Sequence, residues 1–574
     1  MSAPRLSEFI KAYDVRGVVP EQLNDAVAFA IGSAFAQVVA IPDGATSVVI
    51  GHDMRPSSPD LSRSFAAGVA ALGLDVTLIG LCSTDGLYYA SGALDVPGAM
   101  FTASHNPAQY NGIKLCRSGA RPVGQDTGLS QVSDLAQSLI DSGVAPGAPT
   151  ADAPAGSAPP KTAPPEATPA SGTISERDVL ADYARFLRGL VDLSEIRTLT
   201  VVVDAGNGMG GHTVPAVLGT LAGLPALPLT VIPLYFELDG SFPNHEANPL
   251  NPENLRDLQA AVIAHGADLG LAFDGDADRC FVVDERGEPV SPSAITALVA
   301  TREIAKERAA GRGATIVYNV ISSAAVPEII GESGGTAVRT RVGHSFIKGE
   351  MARHQAVFGG EHSAHYYFRD FWFADTGMLA AMHVLAALGE QPRPISEVVA
   401  RFTRYVASGE INSTVTDASV ATADVRAWAK ELRQEVDFDE LDGMTVTHQG
   451  DPMWWFNLRA SNTEPLLRLN VEAVDDATMA RVRNDVLSIM RGENLMTEET
   501  QPATGAAPTH PSVPQIEPWL REILRCPQCR SKLSDGSGPS GPELHCTNAE
   551  CRLAYRIDDG IPVLLVDESR TLAG

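Results

Sequence analysis

Residues 269–283 read Leu-Gly-Leu-Ala-Phe-Asp-Gly-Asp-Ala-Asp-Arg-Cys-Phe-Val-Val, an acidic loop between two short apolar runs. Both runs have the length and composition of buried strands. The loop carries three carboxylates at a spacing of two, from Asp274, Asp276 and Asp278, and then Arg279. In an extended backbone this spacing places the carboxylates on one face, where their repulsion favours a hard cation such as Mg²⁺. The other interpretation is a solvated acidic turn.

A second polar stretch reads Thr-Ala-Ser-His-Asn-Pro at 102–107 and continues to Tyr-Asn-Gly-Ile-Lys at 110–114. It brings the hydroxyl of Ser104, the imidazole of His105 and the amine of Lys114 into thirteen residues. Such groups can form a covalent phosphate and move protons. Taken alone, Asn-Pro beside Ser and His is more typical of a loop.

A third stretch, Arg-Ala-Ser-Asn-Thr-Glu-Pro at 459–465, is followed by Arg468. Guanidinium groups, hydroxyls and successive backbone amides could hold a dianion, because Arg matches phosphate oxygens bidentately and amide nests favour anions. The residues concerned are Arg459, Ser461, Asn462, Thr463 and Arg468. A polar turn between strands remains an equal alternative.

The fourth stretch is Gly-Gly-Glu-His-Ser-Ala-His at 359–365, with Arg-Val-Gly-His-Ser at 341–345 before it. Glu361, Ser363, His365 and His344 supply donors and acceptors suited to sugar hydroxyls, although a single His is more often structural. The combination of all four stretches is more informative than any one of them. A serine, a metal cluster, a sugar-binding carboxylate and a phosphate cradle are what phosphoryl transfer on a phosphosugar requires.

Length and composition indicate a folded protein of several domains, because 574 residues exceed what one core supports. β-branched runs alternate with Ala/Leu-rich segments, for example 47–51 before 62–72 and 199–204 before 214–221, which predicts α/β units. The glycine-rich 204–210 lacks the Lys-Ser/Thr of a nucleotide loop and favours a structural βα turn, with a phosphate loop as the alternative. Residues 400–492 read as a smaller α+β domain with a helical segment at 423–436.

The net charge of −27 argues against nucleic acid and anionic membranes as partners. The sequence shows no apolar run of bilayer length and no leader segment, which predicts a cytoplasmic protein. An Ala/Pro-rich stretch at 144–172 predicts a flexible insert, and 493–515 an interdomain linker.

The four stretches, in this order, closely resemble the signatures of the α-D-phosphohexomutase family, especially its phosphomannomutase/phosphoglucomutase branch. The resemblance covers about residues 5–492. It implies three α/β domains and a smaller α+β fourth domain around a central cleft. On this basis we expect domain I at 1–143, domain II at 173–287, domain III at 288–397 and domain IV at 398–492.

The resemblance also implies roles for individual residues. Ser104 would carry the phosphate, and Asp274, Asp276 and Asp278 would hold Mg²⁺ together with a phosphoserine oxygen. The sugar hydroxyls would be bound by Glu361 and Ser363, and the non-reacting phosphate by Arg459, Ser461, Asn462 and Thr463. The family pattern also places Arg16 near the phosphoserine, matches Lys114 to a proton-transfer residue, and aligns Arg279, His344 and His365 with residues of the cleft. His105 and Arg468 are candidates from their place in the second and third stretches.

The family's reaction passes through a hexose 1,6-bisphosphate, which turns end over end before returning a phosphate to the serine. His362 and the Gly-His-Ser of 343–345 are similar to the mannose/glucose branch and favour a phosphomannomutase that feeds GDP-mannose synthesis. Phosphoglucomutase or dual activity is the alternative. A non-catalytic phosphosugar-binding regulator is a further hypothesis, disfavoured by the presence of the serine, the three aspartates and the cradle. A phosphatase would share the metal and the nucleophile, but the cradle and the sugar-binding stretch favour retention of the bisphosphate.

A separate module, 516–574, contains Cys526, Cys529, Cys546 and Cys551 in two pairs. This spacing predicts a structural Zn²⁺ site, with free thiols or a redox pair as alternatives. The segment resembles small bacterial zinc-ribbon proteins related to methyltransferase activators, which implies a protein-binding or stabilising role and a possible protein partner.

Overall fold

The computed structural model describes residues 4–10, 13–143, 171–432, 435–460, 466–492, 521, 524–538, 541–548, 550–558, 561–566 and 569–572. The chain divides into two compact units, Met1–Leu495 and Met496–Gly574. Four sheets lie in the first unit and one in the second. No helix among the described residues is both long and apolar enough to cross a membrane.

The first sheet has strand order β1-β5-β4-β2-β3-β7, with β6 paired to β5. β2 is parallel to β3 and β4, and β5 is antiparallel to β4 and β1. Its strands are β1 (Val15–Val18), β2 (Ser47–His52), β3 (Asp75–Leu81), β4 (Gly98–Phe101), β5 (Tyr110–Arg117), β6 (Arg121–Pro122) and β7 (Ile174–Glu176). The helices are α1 (Asp25–Phe35), α2 (Ser58–Ala70), α3 (Thr84–Leu94) and α4 (Leu129–Asp141).

Strand β7 lies inside the range predicted for the second domain, yet it pairs in parallel with β3 at the edge of the first sheet. No local pattern predicts this pairing, because three exposed residues carry no hydrophobic periodicity. The polypeptide therefore leaves the first sheet after helix α4 and returns to it beyond the Ala/Pro-rich stretch, which lies outside the described residues.

The second sheet, of order β12-β11-β10-β8-β9, has a parallel centre in which β8 pairs with β9 and β10. The elements of this region are α5 (Leu180–Leu190), β8 (Leu199–Asp204), α6 (Gly210–Val217), β9 (Leu229–Leu234), α7 (Arg256–His265), β10 (Leu269–Phe273), β11 (Cys280–Val283) and β12 (Pro289–Val290). All residues of β10 and β11 are buried, so the acidic loop at 274–279 begins and ends on fixed strands.

The third sheet, of order β14-β13-β15-β16-β17, is parallel at β14, β13 and β15 and antiparallel beyond. The region comprises α8 (Pro292–Ala309), β13 (Thr315–Asn319), α9 (Ala325–Glu332), β14 (Thr336–Thr340), α10 (His344–His354), β15 (Phe358–Gly360), β16 (Tyr366–Phe368), β17 (Ala374–Asp375), α11 (Gly377–Gly389) and α12 (Ile395–Ala400). The second and third regions share one continuous apolar core.

The fourth sheet is antiparallel throughout, in the order β18-β22-β21-β20-β19, and packs two helices over its own core. Its elements are β18 (Val406–Thr414), α13 (Ala418–Glu431), β19 (Asp437–Asp439), β20 (Met444–His448), β21 (Trp454–Ala460), β22 (Leu466–Ala473) and α14 (Asp476–Met490). Helix α13 begins five residues before the predicted segment because the Asp417 carboxylate accepts hydrogen bonds from the amides of Ser419 and Val420. Three α/β regions and a smaller α+β region confirm the predicted fold class.

The second unit is described by itself. Its strands are β23 (Leu533–Gly538), β24 (Gly541–Cys546), β25 (Leu553–Asp558), β26 (Ile561–Pro562) and β27 (Arg570–Thr571), which form an antiparallel sheet. A small core that includes Leu544, Tyr555 and the four cysteines lies beside this sheet.

Candidate active site

The serine loop (102–107) follows strand β4 and meets the metal loop (274–279), which follows strand β10. Ser104 is buried, and its hydroxyl donates to Asp274 Oδ2 at 2.8 Å. The main chains of the two loops are in direct contact at this point. A methyl group added at Gly275 would lie 2.4 Å from the Ser104 carbonyl oxygen. Residues from two separate sheets thus form one site, as their predicted roles require.

The carboxylates of the metal loop meet the requirements of a cation site. One oxygen from each of Asp274, Asp276 and Asp278 lies within 4.8 Å of the others. Asp276 Oδ1 and Asp278 Oδ1 are buried and have no hydrogen-bond partner among the described residues. A buried, unpaired carboxylate oxygen is costly unless a cation is bound to it. The donor set of oxygens alone fits Mg²⁺.

Lys114 and Thr84 hold the other oxygens of two of these carboxylates. The Lys114 ammonium donates to Asp276 Oδ2 at 2.7 Å and to Asp278 Oδ2 at 2.6 Å. The Thr84 hydroxyl donates to the same Asp276 oxygen at 2.6 Å. Each carboxylate is therefore held through Oδ2, which leaves Oδ1 for a ligand.

Burial and neighbouring charges set the ionisation of this cluster. Burial raises the pKa of Asp274, and the carboxylates of Asp278 and Asp276 raise it further against the opposing charge of Arg279. Burial acts in the same direction on Asp276, but the Lys114 ammonium outweighs it and lowers the pKa of that carboxyl. Burial alone would lower the pKa of Lys114, whereas the charges of Asp276 and Asp278 raise it well above its usual value. In this arrangement Lys114 is a protonated donor.

His105 lies between the serine and the guanidinium of Arg279. Its Nδ1 is 3.2 Å from Ser104 Oγ and accepts a hydrogen bond from Arg279 Nη2 at 2.6 Å. Burial, with the charges of Arg279 and Arg16, holds the pKa of His105 well below its usual value, so the ring is neutral. Arg16, on strand β1, donates to the Asn106 side chain in the same loop. The predicted residues Arg16, His105 and Arg279 are thus brought together at the serine.

The sugar loop (360–365) joins strands β15 and β16. Glu361 is buried; its Oε1 accepts hydrogen bonds from the Gly343 amide at 3.0 Å and from Asn319 Nδ2 at 3.2 Å. Its Oε2 accepts from the Tyr367 hydroxyl at 2.7 Å. A carboxylate has about four lone-pair sites, so three are used and one can receive a sugar hydroxyl.

Two further predicted residues of this loop, Ser363 and His365, contact each other, and His365 also reaches the metal loop. The Ser363 hydroxyl lies 3.1 Å from His365 Nδ1, and His365 Nε2 lies 3.6 Å from Asp278 Oδ1. The backbones of His365 and Arg279 also form an isolated antiparallel bridge. The sugar loop and the metal loop are therefore adjacent.

His344 begins helix α10, one residue after the Gly343 whose amide binds Glu361. Its ring packs edge-on against Tyr13, with centroids 4.9 Å apart. Burial, followed by the charge of Lys348, lowers the pKa of His344 to about 3. A neutral imidazole at this position can donate or accept one hydrogen bond with a sugar.

Arg459 and Arg468 are cross-strand partners on β21 and β22. The Glu410 carboxylate on β18 lies between them, with Oε2 3.7 Å from Arg459 Nη2 and Oε1 3.4 Å from Arg468 Nη1. Like charges placed directly opposite repel, and the Glu410 carboxylate offsets that repulsion here. Two guanidinium groups side by side have the chemistry to bind a phosphate dianion. The other predicted cradle residues lie outside the described residues: Ser461, Asn462 and Thr463.

Sequence reasoning missed Asp442, which joins the fourth sheet to the third region. Its Oδ2 accepts a hydrogen bond from the Val342 amide at 2.9 Å and lies 3.4 Å from Arg459 Nη1. An acidic residue in a polar turn has no distinguishing local pattern. Only the fold brings Asp442 to Val342 and Arg459.

The glycine-rich stretch at 204–210 supports the metal loop. The Met209 amide donates to the Gly275 carbonyl at 2.9 Å, and a methyl group at Gly208 would lie 2.6 Å from that oxygen. This close approach explains the glycine and agrees with the predicted structural turn.

In the second unit the four predicted cysteine ligands converge. Their sulfur atoms all lie within 4.8 Å of one another, with Cys526 and Cys551 3.6 Å apart and Cys529 and Cys546 3.3 Å apart. Tetrahedral Zn²⁺ with bonds of about 2.3 Å would separate its sulfurs by about 3.8 Å. The cluster has the composition and nearly the dimensions of such a site.

A buried serine hydrogen-bonded to a cluster of three aspartates is the arrangement of enzymes that transfer phosphoryl groups through a covalent intermediate. Four family models match this chain in succession: the phosphoglucomutase/phosphomannomutase alpha/beta/alpha domains I at 8–138, II at 181–287 and III at 291–405, and the C-terminal domain at 410–489. The chain belongs to the phosphoglucomutase/phosphomannomutase family and is an enzyme of the phosphohexomutase type.

Curated relatives match over nearly their whole length. The chain is 39% identical over 485 residues to a protein described as phosphohexose mutases from Xanthomonas campestris, which covers 84% of this chain and 99% of the relative. It is 38% identical over 479 residues to a phosphomannomutase from Salmonella typhimurium, covering 83% and 97%. Among solved structures, a phosphoglucomutase/phosphomannomutase family protein from Burkholderia thailandensis superposes with a TM-score of 0.70 at 28% identity, covering 84% and 97%.

Proposed function

We propose that this enzyme interconverts mannose 1-phosphate and mannose 6-phosphate; the alternative is action on the glucose phosphates, alone or in addition. The relative from Salmonella typhimurium is described as a phosphomannomutase and is 38% identical to this chain. The observation that carries the mechanism is the 2.8 Å hydrogen bond from Ser104 Oγ to Asp274, beside two unpaired aspartate oxygens.

Ser104 is the phosphoryl carrier in this proposal. The free hydroxyl of the hexose phosphate attacks the phosphorus, a bond to the sugar oxygen forms, and the bond to Ser104 Oγ breaks. Overall, the proton of the attacking sugar hydroxyl is transferred to Ser104 Oγ. The resulting hexose 1,6-bisphosphate then reorients end over end in the site. In the reverse transfer its other phosphate passes to Ser104 Oγ, which restores the phosphoserine and releases the product.

The metal site would be formed by Asp274, Asp276, Asp278 and an oxygen of the phosphoserine. Bound there, Mg²⁺ neutralises negative charge on the transferring phosphoryl group. Lys114 orients two of the carboxylates, Arg279 and Arg16 add positive charge near the serine, and His105 remains neutral. A proton-transfer role for Lys114 remains a prediction of the family resemblance.

Substrate orientation is assigned to the sugar loop and the cradle. Glu361, Ser363, His365 and His344 offer hydrogen bonds to sugar hydroxyls. Arg459 and Arg468, with Ser461, Asn462 and Thr463, hold the phosphate that does not react. Because this phosphate is the 6-phosphate in one half-reaction and the 1-phosphate in the other, the cradle must accept both.

A coupled assay tests the function. Mannose 1-phosphate, glucose 1-phosphate and glucosamine 1-phosphate are supplied separately, with Mg²⁺ and catalytic glucose 1,6-bisphosphate. Ser104→Ala should lower kcat by a factor on the order of 10³ or more. The exposed Ser130→Ala is the control and should retain full activity. Undiminished turnover by Ser104→Ala would overturn the assigned carrier.

We also propose that Cys526, Cys529, Cys546 and Cys551 bind a structural Zn²⁺ in a zinc-ribbon module. The convergence of four sulfurs supports this, and metal binding would stabilise a unit with so small a core. A cytoplasmic location suits the proposal, because a reducing compartment preserves thiolate ligands. Recognition of a protein partner by this module is a prediction from resemblance alone.

Metal analysis of the full-length protein decides the zinc proposal. Wild type purified without chelators should contain about one zinc per chain. The double variant Cys529→Ser, Cys551→Ser should contain none, whereas Cys280→Ser, which alters a buried cysteine in strand β11, should keep its zinc. Equal zinc content in all three proteins would exclude the cluster as the binding site.

A further inference from the structure

Arg55 lies beneath the serine loop, although it belongs to none of the four sequence signatures. The residue is 1% exposed. Its Nη2 donates to the carbonyl oxygens of Ser104 at 2.9 Å and Asn106 at 2.7 Å. Its Nη1 donates to those of Pro107 at 3.0 Å and Tyr110 at 2.9 Å. One guanidinium thus binds three main-chain carbonyls of the serine loop and a fourth from Tyr110, the first residue of strand β5.

This loop needs such support because of its backbone conformation. Ser104 has a φ of +48°, in the left-handed region that non-glycine residues rarely adopt. On the other side of the residue, the Ser104 amide donates to the Thr102 hydroxyl at 2.9 Å. The amide and the carbonyl of Ser104 are therefore each held by a side chain, and together these bonds fix where Oγ points.

Arg55 is itself held rigidly. Its Nε is 3.3 Å from Asp53 Oδ2, within a buried ion pair. The Phe242 ring, from the second region, covers the guanidinium with its centroid 5.1 Å from Cζ. A methyl group at Gly240 would come within 2.7 Å of Arg55 Cα, so the main chain of that region packs directly on the arginine. A side chain fixed on three sides can impose its geometry on the loop.

We propose that Arg55 is a positioning residue for phosphoryl transfer: its planar fork sets the serine-loop carbonyls and thereby aims Ser104 Oγ at the metal loop. The inference rests on the proposed function of Ser104. Arg55 binds main-chain carbonyls and does not touch the reacting atoms. Its effect on catalysis comes from setting where the Ser104 side chain points. Lysine cannot replace it, because a point-like ammonium has three donors and no planar fork with which to span four carbonyls.

The competing explanation is that Arg55 only stabilises the fold. Arg188 provides a matched control, since it also donates to three main-chain carbonyls, those of Val217, Pro225 and Gly219, in a part of the chain away from the serine. If carbonyl binding serves stability alone, replacing either arginine should lower Tm and leave phosphoryl transfer by folded protein unchanged.

The test compares Arg55→Lys and Arg55→Gln with Arg188→Gln in the full-length protein. Dephosphorylated enzyme is mixed with glucose 1,6-bisphosphate, and Ser104 phosphorylation is followed by intact mass. Tm and the KM for mannose 1-phosphate are measured in parallel. Arg55→Lys should slow phosphorylation about 100-fold, with KM changed less than about threefold. Arg188→Gln should keep the wild-type rate.

Two outcomes would overturn the inference. These are a wild-type phosphorylation rate in folded Arg55→Lys, or a rate loss in Arg188→Gln equal to that in the Arg55 variants. If Arg55→Gln does not fold, Arg55→Lys alone decides the question. Addition of millimolar guanidinium to Arg55→Gln should partly restore the rate, which a purely structural role does not predict. Failure of wild type to become phosphorylated would instead refute the assignment of Ser104.

Discussion

The Thr84 hydroxyl donates to Asp276 Oδ2 at 2.6 Å and so ties the first turn of helix α3 to the metal loop 192 positions later. The Thr84 amide adds a second bond, to the Asp276 carbonyl at 3.0 Å. Because Oδ2 is occupied by Thr84 and Lys114, Oδ1, which has no hydrogen-bond partner among the described residues, is the oxygen left for a cation. The first α/β region thus helps to shape the proposed metal site, although its three aspartates belong to the second region.

Thr84→Val should weaken metal activation, because the isosteric side chain removes the donor and frees the Asp276 carboxylate to turn. Loss of a buried hydrogen bond to a charged group costs about 1.5–3 kcal/mol, so the Mg²⁺ concentration for half-maximal activity should rise at least about tenfold. The measurement is initial rate against Mg²⁺ concentration. Thr84→Ser should behave like wild type, and an unchanged Mg²⁺ requirement in Thr84→Val would contradict the prediction.

Gly275→Ala should separate the serine loop from the metal loop. The added methyl group would lie 2.4 Å from the Ser104 carbonyl oxygen, closer than van der Waals contact allows. A displacement of about 1 Å at a reacting group can lower kcat about 100-fold. Gly331→Ala in helix α9 is the control, since its methyl group meets nothing within 4 Å. Full activity in Gly275→Ala would show that the two loops can shift independently.

Glu410→Gln should strengthen binding of the phosphosugar. Glu410 places a negative charge between Arg459 and Arg468, where the substrate phosphate is expected to bind. Removing that charge should lower the KM for mannose 1-phosphate about threefold to tenfold, more strongly at low ionic strength. Glu431→Gln, at an exposed site on helix α13, should leave KM unchanged. A raised KM in Glu410→Gln would mean that the carboxylate supports the cradle instead of competing with phosphate.

Protonation of His383 should contribute to acid unfolding. The ring is buried against Phe368, with centroids 5.3 Å apart, and faces Glu303, Arg302 and Lys306 on helix α8. Burial lowers its pKa to about 3, so the unfolded chain takes up this proton first as pH falls below about 6.5. Stability from this group is present above pH 6.5 and is lost towards pH 3.

The variant His383→Leu should therefore lose about 1–2 kcal/mol less stability than wild type between pH 7 and pH 5. The midpoint of thermal unfolding at the two pH values gives the comparison. His354→Leu, at an exposed position on helix α10, is the control and should match wild type. Equal pH sensitivity in His383→Leu and wild type would exclude His383 as a source of the acid dependence.

The site's chemistry could be predicted from sequence where a short segment carries its own pattern. Strand β8 was predicted at its observed limits, and the fully buried strands β10 and β11 bracket the acidic loop as expected. The serine, metal and sugar loops could each be predicted, because each has its polar residues next to one another in the sequence. Helix α6, in contrast, ends at Val217, four residues before the predicted segment ends.

The supporting residues could not be predicted, because their partners are distant in sequence. Arg55 and Ser104 are 49 positions apart, and Asp442 lies 100 positions from Val342. In the sequence, an isolated Arg or Asp in a polar turn cannot be distinguished from a charged surface residue. Its carbonyl or amide partner is known only from the fold. The strand β7 was missed for the same reason, since its register is set by β3 and not by its own three residues.

The main-chain bridge between Arg279 and His365 also constrains how this enzyme can diversify. A backbone link persists whatever side chains the neighbouring positions carry. On the proposed role of the sugar loop, exchanges at 361–363 should change which sugar is accepted while the bridge at its far end keeps the loop against Arg279. A library confined to those three positions should therefore sample new sugars without displacing the metal loop.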